Sequence, residues 1–197
     1  MSSDNIIPEN RQGIQTNTES SIEFSTEKEA KHFFEVVKNR LVDINRWHKL
    51  AGKTSASFRL TDHEGKPVSR TAQKNDHIKI DIPGPGTDTG GGKDWVQIED
   101  IEEKENLIGI LVRPASNPND ERKDVAHFFD EQSTSSFVVR KEKYKIIAGV
   151  YGRNEKPNTE TETTIDRIRN VAVATVAITG FSKIQWKSLV NGLLAKE

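Results

Sequence analysis

The sequence predicts an α+β fold: a curved antiparallel β-sheet of about six to seven strands, with an N-terminal helical segment and a long C-terminal helix. Three observations carry this. Two stretches near the chain ends repeat apolar residues at steps of three and four, which marks one face of a helix. The middle of the chain holds short runs that alternate with period two. Few helical stretches separate those runs, so their strands pair antiparallel. A small β-barrel with flanking helices needs the same strands and is the alternative.

Residues 1–20 are polar and without periodicity, so they read as a flexible tail ahead of a single domain over 21–197. "SIEFS" (21–25) alternates Ile22 and Phe24 with polar neighbours, as a short strand does. Thr26 and Glu29 have the spacing of a capping box. Ala30, Phe33, Phe34, Val37, Leu41, Ile44 and Trp47 then share a helical face, with Asp43 or Asn45 the point where it divides. Gly52 ends the segment. Strands follow at 55–62, 77–82, 94–101, 106–114, 135–143 and 144–152, and "DERKDVAHFFDEQ" (120–132) reads as a short helix. At 163–179 the stripe Ile165, Ile168, Val171, Ala172, Thr175, Val176 and Thr179 predicts helix. The β-branched richness of "NVAVATVAIT" leaves strand as the alternative. Ser182 with Gln185 repeats the capping-box spacing, and Trp186, Leu189, Val190, Leu193 and Leu194 form a clear apolar face.

Composition narrows the function by exclusion. The 197 residues hold 29 basic and 30 acidic side chains, so no field of one sign draws in nucleic acid or an anionic membrane. Cysteine is absent, which removes disulfides, thiolate catalysis and Cys-ligated metal. The start "MSSDNIIPEN" lacks the pattern of a signal peptide, and no apolar run approaches the roughly 18 residues of a membrane span. These features lead to the expectation of a cytoplasmic protein.

The glycine-rich stretch "IDIPGPGTDTGGGKDW" fails both phosphate-binding patterns. A P-loop needs glycine at 87, where Thr87 stands, and Ser or Thr at 94, where Asp94 stands. The dinucleotide pattern begins at Gly84 and Gly86 but meets Thr89. Pro83 and Pro85 have no amide hydrogen to offer. The stretch reads as a connection between strands, or as a lid over a pocket. No cofactor is expected. The five histidines form no metal-binding spacing, so no metal is expected either.

Several residues remain as candidates. His127 lies between Asp124 and Asp130, and a histidine beside a carboxylate can act as a general base. The plain reading is a packed or capping histidine. Arg153–Asn154 and Arg169–Asn170 offer forked donors, or else turn and surface chemistry. Arg113 is in phase with Leu107, Gly109 and Leu111. It is a charged anchor if that face lines a cavity, and an exposed strand end if not. Trp95 shares its face with Gln97 and Glu99, as residues at a pocket rim do.

The order of elements resembles the helix-grip fold of the START-like superfamily. "SIEFSTEKEAKHFFEVVKNRLVDINRWHKLAG" carries the best local likeness: a short strand, a capped helix, and a tryptophan near the end of a second. The insertion around "PNDERKDVAHFFDEQ" and Gly180 depart from the pattern. The resemblance implies a sheet wrapped around the C-terminal helix with a cavity between them, and no catalytic residue is carried over. Val96, Ile98, Leu111, Phe137, Val139 and Val171 would then form the apolar wall, with Trp95 and Arg113 near the rim. The partner would be a small hydrophobic or amphipathic molecule. The alternatives are an enzyme on the same scaffold using His127 with Asp124 or Asp130, and an interaction protein that forms a homodimer.

Overall fold

The computed structural model describes residues 6–52, 56–81, 93–120, 125, 127–156 and 183–196. Within them the strands are β1 (Ile14–Glu23), β2 (Ser57–Thr61), β3 (His77–Asp81), β4 (Asp94–Lys104), β5 (Leu107–Pro114), β6 (Thr134–Glu142) and β7 (Lys145–Glu155). Helices are α1 (Glu27–Val42), α2 (Trp47–Ala51) and α3 (183–193), with a 3-10 turn at Ile44–Arg46. The strands form one open sheet in the order β1-β7-β6-β5-β4-β3-β2, and every pair is antiparallel. The fold is therefore α+β, and the sheet does not close into a barrel.

The first strand begins at Ile14, not at Ser21. The polar stretch before Ser21, read as tail from its composition, pairs with β7 from Ile14 onward. An edge strand bonds through one side of its backbone and is commonly polar, so its side chains give little pattern to read. Residues further upstream are also held. Ile6 packs on Val138 and Tyr151, and the Ser136 hydroxyl donates to the Ile6 carbonyl.

Helix α1 forms where its sequence signals begin. The Thr26 hydroxyl accepts from the Glu29 amide while the Glu29 carboxylate accepts from the Thr26 amide, each at 3.2 Å. Ala30, Phe34, Val37 and Leu41 are its buried face. The helical segment divides at Asp43. Asn45 then pins the turn to β2: its side chain accepts from the Leu60 amide and donates to the Val68 carbonyl. Trp47 is fully buried, and its Nε1 donates to the Leu41 carbonyl at 3.0 Å. Gly52, at φ 91°, ends the segment.

One face of the sheet, the inner face, carries all three helices and the main core. Phe58, Ile80, Val96, Ile98, Ile110, Val112, Phe137, Val139, Ala148 and Val150 meet Leu41, Ile44, Trp47, Leu189 and Leu193 there. A bulge between Ile98 and Asp100 lets Ile101 join Ile98 on this face, three residues on. At its end α3 is clamped. Arg40 donates to the carbonyls of Leu193 and Ala195 at 2.9 and 2.7 Å, a cation on a helix C-terminus. Gly192 lies so close to α2 that a Cβ would stand 2.0 Å from the Leu50 carbonyl oxygen. Among the described residues no helix is long and apolar enough to cross a membrane.

The stretch 163–179, Gly180, Ser182 of the last capping box, and the glycine-rich loop at 84–92 lie outside the described residues. In "DERKDVAHFFDEQ" the described residues 125 and 127–132 are not helical, in place of the short helix expected there. Adjacent side chains settle this segment. His127 Nδ1 accepts from the Phe129 amide, and Asp130 Oδ1 takes the Gln132 amide and the Ser133 hydroxyl, so side chains close turns that a helix would have closed with backbone.

Candidate functional site

The residues singled out from sequence do not form one cluster. Val96, Ile98, Phe137 and Val139 point to the inner face, where they are packed in the core. Phe137 is held between Trp47 and Trp186, with ring centroids 4.7 and 5.2 Å away. Strand alternation puts Trp95, Leu111 and Arg113 on the opposite, outer face. Leu111 packs against the Ile6 cluster there. Arg113 is not a free anchor: it makes a two-pronged ion pair with Glu99, at 2.5 and 3.1 Å, and donates to the Glu131 carbonyl. Trp95 is buried, only 3% exposed, with Lys79 over its ring. The rim position expected for it is therefore not where it sits. Asp124, Val171, Arg169 and Asn170 lie outside the described residues.

His127 is buried and stacked on Phe128 at 4.3 Å. Burial pushes its imidazole down to about 3. A base that weak takes up little proton near neutrality, which argues against the general-base role. Asp130 is engaged in the turn described above. Arg153 is buried too, and its Nη1 donates to the carbonyls of Thr16 and Gly152 and to Asn17 Oδ1. Asn154 sits at φ 56°, and its Oδ1 accepts from the amides of Arg11 and Gln12. Both residues of this pair therefore serve the bulge that joins β1 to β7.

A groove of about 540 Å³ runs beside edge strand β1, between it and α3. Asn17, Thr18 and Glu19 form one wall, and Lys183, Ile184, Lys187 and Ser188 the other. The helical steps 183, 184, 187 and 188 put these four on one side of α3. Lys187 Nζ reaches across to the Glu19 carbonyl at 2.6 Å, and Ile184 is 70% exposed. The wall is thus amphipathic: two ammonium groups beside an uncovered aliphatic side chain. Thr18 faces inward and is buried.

Two residues along β1, on the same face as Thr18, stands Thr16. It pairs with Gly152, and the side chain of Glu155 lies over that glycine: a Cβ at 152 would fall 2.0 Å from Glu155 Oε1. The β1–β7 register shift there turns Glu155 inward. The Thr16 hydroxyl donates to Glu155 Oε1 at 3.3 Å, and Oε2 has no hydrogen-bond partner. Desolvation raises this carboxyl to about 7, against smaller opposing effects of Thr16 and Arg153. Nothing in the sequence marked Glu155: it sits in the polar run "RNEKPN", and only the bulge aims it inward.

The outer face bears a second polar group. The Tyr151 hydroxyl donates to Glu19 and accepts from Arg140 at 2.6 Å, and Arg140 also bonds Glu142. Burial and the Glu19 contact push the Tyr151 phenol up to about 12, while its hydroxyl holds the Glu19 carboxyl below the ordinary range. These partners satisfy one another, so the group reads as an ion-pair lattice locking β1, β7 and β6 together.

No known family's sequence profile matches the chain, and no curated protein matches it in sequence. Solved structures are similar in fold. A hypothetical protein from Helicobacter pylori superposes with a TM-score of 0.56 at 12% identity, over 96% of this chain and 97% of its own. A protein from Thermus thermophilus superposes at 0.51 and 11% identity, over 92% and 94%. Truncated norcoclaurine synthase from Thalictrum flavum gives a looser match, 0.46 at 7% identity, over 96% and 100%. At such identities the first two likenesses bear on the fold alone: the chain shares its whole-length α+β architecture with proteins of distant sequence.

Proposed function

We propose that this protein is a ligand-binding module of the START-like helix-grip class, taking a small amphipathic molecule between the sheet and the C-terminal helix. The observation that carries the reading is the groove between β1 and α3. Its volume of about 540 Å³ falls in the range of roughly 300–1,000 Å³ usual for small-molecule sites. Its walls suit an amphipathic guest. Ile184 offers apolar surface, Lys183 and Lys187 offer charge at the mouth, and the buried Thr18 offers a hydroxyl within. The order of elements supports the class, since α3 is seated on the inner face and clamped by Arg40. Binding by Val96, Ile98, Phe137 and Val139 is not part of this proposal, because the core occupies them; neither is a role for Trp95, Leu111 or Arg113, which lie on the other face.

The test is titration with 1-anilinonaphthalene-8-sulfonate, an amphipathic fluorescent anion, followed by native mass spectrometry of the complex. One bound probe with micromolar affinity is expected. Thr18→Trp, which fills the groove from its β1 wall, weakens binding at least tenfold while leaving the far-UV circular dichroism unchanged. Equal affinity of the folded variant and the parent overturns the reading.

A further inference from the structure

We propose that Glu155 is a polar anchor beside this groove, a neutral carboxylic acid whose Oε2–H donates a hydrogen bond to a carbonyl or ether oxygen of an amphipathic ligand that reaches from the groove along β1. The inference rests on the ligand-module reading and adds the chemistry that the ligand must bring.

Glu155 is 6% exposed, and its Oε2 has no hydrogen-bond partner. A buried polar atom without a partner is costly and rare, so one in a native fold calls for an explanation. Its geometry is specific. The carboxyl lies over Gly152, where any side chain would displace it, and Thr16 fixes the other oxygen. Thr16 stands two residues along β1 from Thr18, which lines the groove, while Thr16 and Glu155 lie next to that lining and not within it. The carboxyl thus stands on the inner face just along the strand from the amphipathic opening.

The surroundings favour the neutral form. Among the described residues, the charged group acting on Glu155 is Arg153. Arg153 Nη1 is bonded to two carbonyls and Asn17 Oδ1, and the guanidinium lies over the Tyr151 ring on the outer face. Neighbouring Lys156 bonds Gln12. Thr16 does not titrate. With desolvation the leading influence, the acid keeps its proton to about neutrality. In that state Oε1 accepts from Thr16 and Oε2 carries the hydrogen, so the group left without a partner is a donor. A donor selects an acceptor oxygen. A cationic ligand would instead require the carboxylate.

The test uses two fluorescent probes: 6-propionyl-2-(dimethylamino)naphthalene, whose ketone accepts a hydrogen bond and shifts its emission to the red when it does, and the analogue with the ketone reduced to a methylene. With a carboxyl titrating near 7, the ketone is expected to bind at least tenfold more tightly at pH 5.5 than at pH 8.5, and the methylene analogue equally at both. Glu155→Gln, whose amide always offers an N–H, retains ketone binding with no pH dependence. Glu155→Leu loses the ketone's advantage and its red shift while still binding the analogue, which shows that the pocket is intact. Ketone affinity that is flat in pH or rises with it, or an unchanged red shift in Glu155→Leu, overturns the proposal. Binding of the analogue alone overturns it and leaves the ligand-module reading standing. Failure of both probes, together with 1-anilinonaphthalene-8-sulfonate, overturns both.

Discussion

Glu155 makes the stability of this protein depend on pH in an unusual direction, and Glu155→Gln exposes it. Its carboxyl is raised from the ordinary 4.5 to about 7, chiefly by desolvation. Each tenfold change in proton affinity is worth about 1.4 kcal/mol, so the ionised form is disfavoured in the native state by about 3 kcal/mol. The sign follows from counting protons. Below pH 4.5 the group is neutral in both states and contributes nothing. Between 4.5 and about 7 the unfolded chain ionises while the native protein keeps its proton. Unfolding then releases a proton, and stability falls as pH rises. Above about 7 both states are ionised and the full cost persists. Glutamine keeps the shape and an oxygen for the Thr16 hydroxyl but cannot ionise. The stability of Glu155→Gln relative to the parent is therefore expected to rise by about 3 kcal/mol from pH 4.5 to pH 8, with most of the change between 5 and 7. Urea unfolding followed by circular dichroism at four pH values measures this. All other titrating groups are common to the two proteins and cancel. A difference that stays constant with pH to within about 0.5 kcal/mol refutes the argument, because the carboxyl would then be hydrated in the native state.

Two further consequences concern the frame and the histidine. Gly192→Ala puts a methyl 2.0 Å from the Leu50 carbonyl oxygen and 2.5 Å from its carbon, a clash of backbone with backbone. It is expected to cost about 2–3 kcal/mol or more in thermal or urea unfolding, and a variant as stable as the parent would mean that α3 does not press on α2. The His127 ring, held down at about 3 by burial, is expected to stay neutral from pH 8 to pH 5; a ring titration by NMR with a midpoint near 6.5 would show it open to water.

The sequence alone determined the elements whose signals are local. A capping box and a stripe of residues on one face specified α1 without reference to the rest of the chain, because Thr26, Glu29, Phe34, Val37 and Leu41 lie within a few turns of each other. Period-two alternation likewise announced β3 through Ile78 and Ile80, and the antiparallel α+β class followed from the order of such segments. The part of β1 before Ser21 escaped because Thr16, Thr18 and Ser20 carry no apolar stripe; that part exists through its pairing with β7, more than a hundred residues away.

Only the tertiary structure decided the site. Alternation says that Val96 and Trp95 face opposite ways, but not which face the helices cover. The assembled sheet put Val96 in the core, and put Arg113 on the outside against Glu99. Glu155 became a candidate only through a register shift that no local pattern encodes, and its acidity is set by burial under the completed fold. Propensity and periodicity are sums over neighbours in the chain. Desolvation and hydrogen-bond satisfaction are sums over neighbours in space, and those come into being only once the strands have paired.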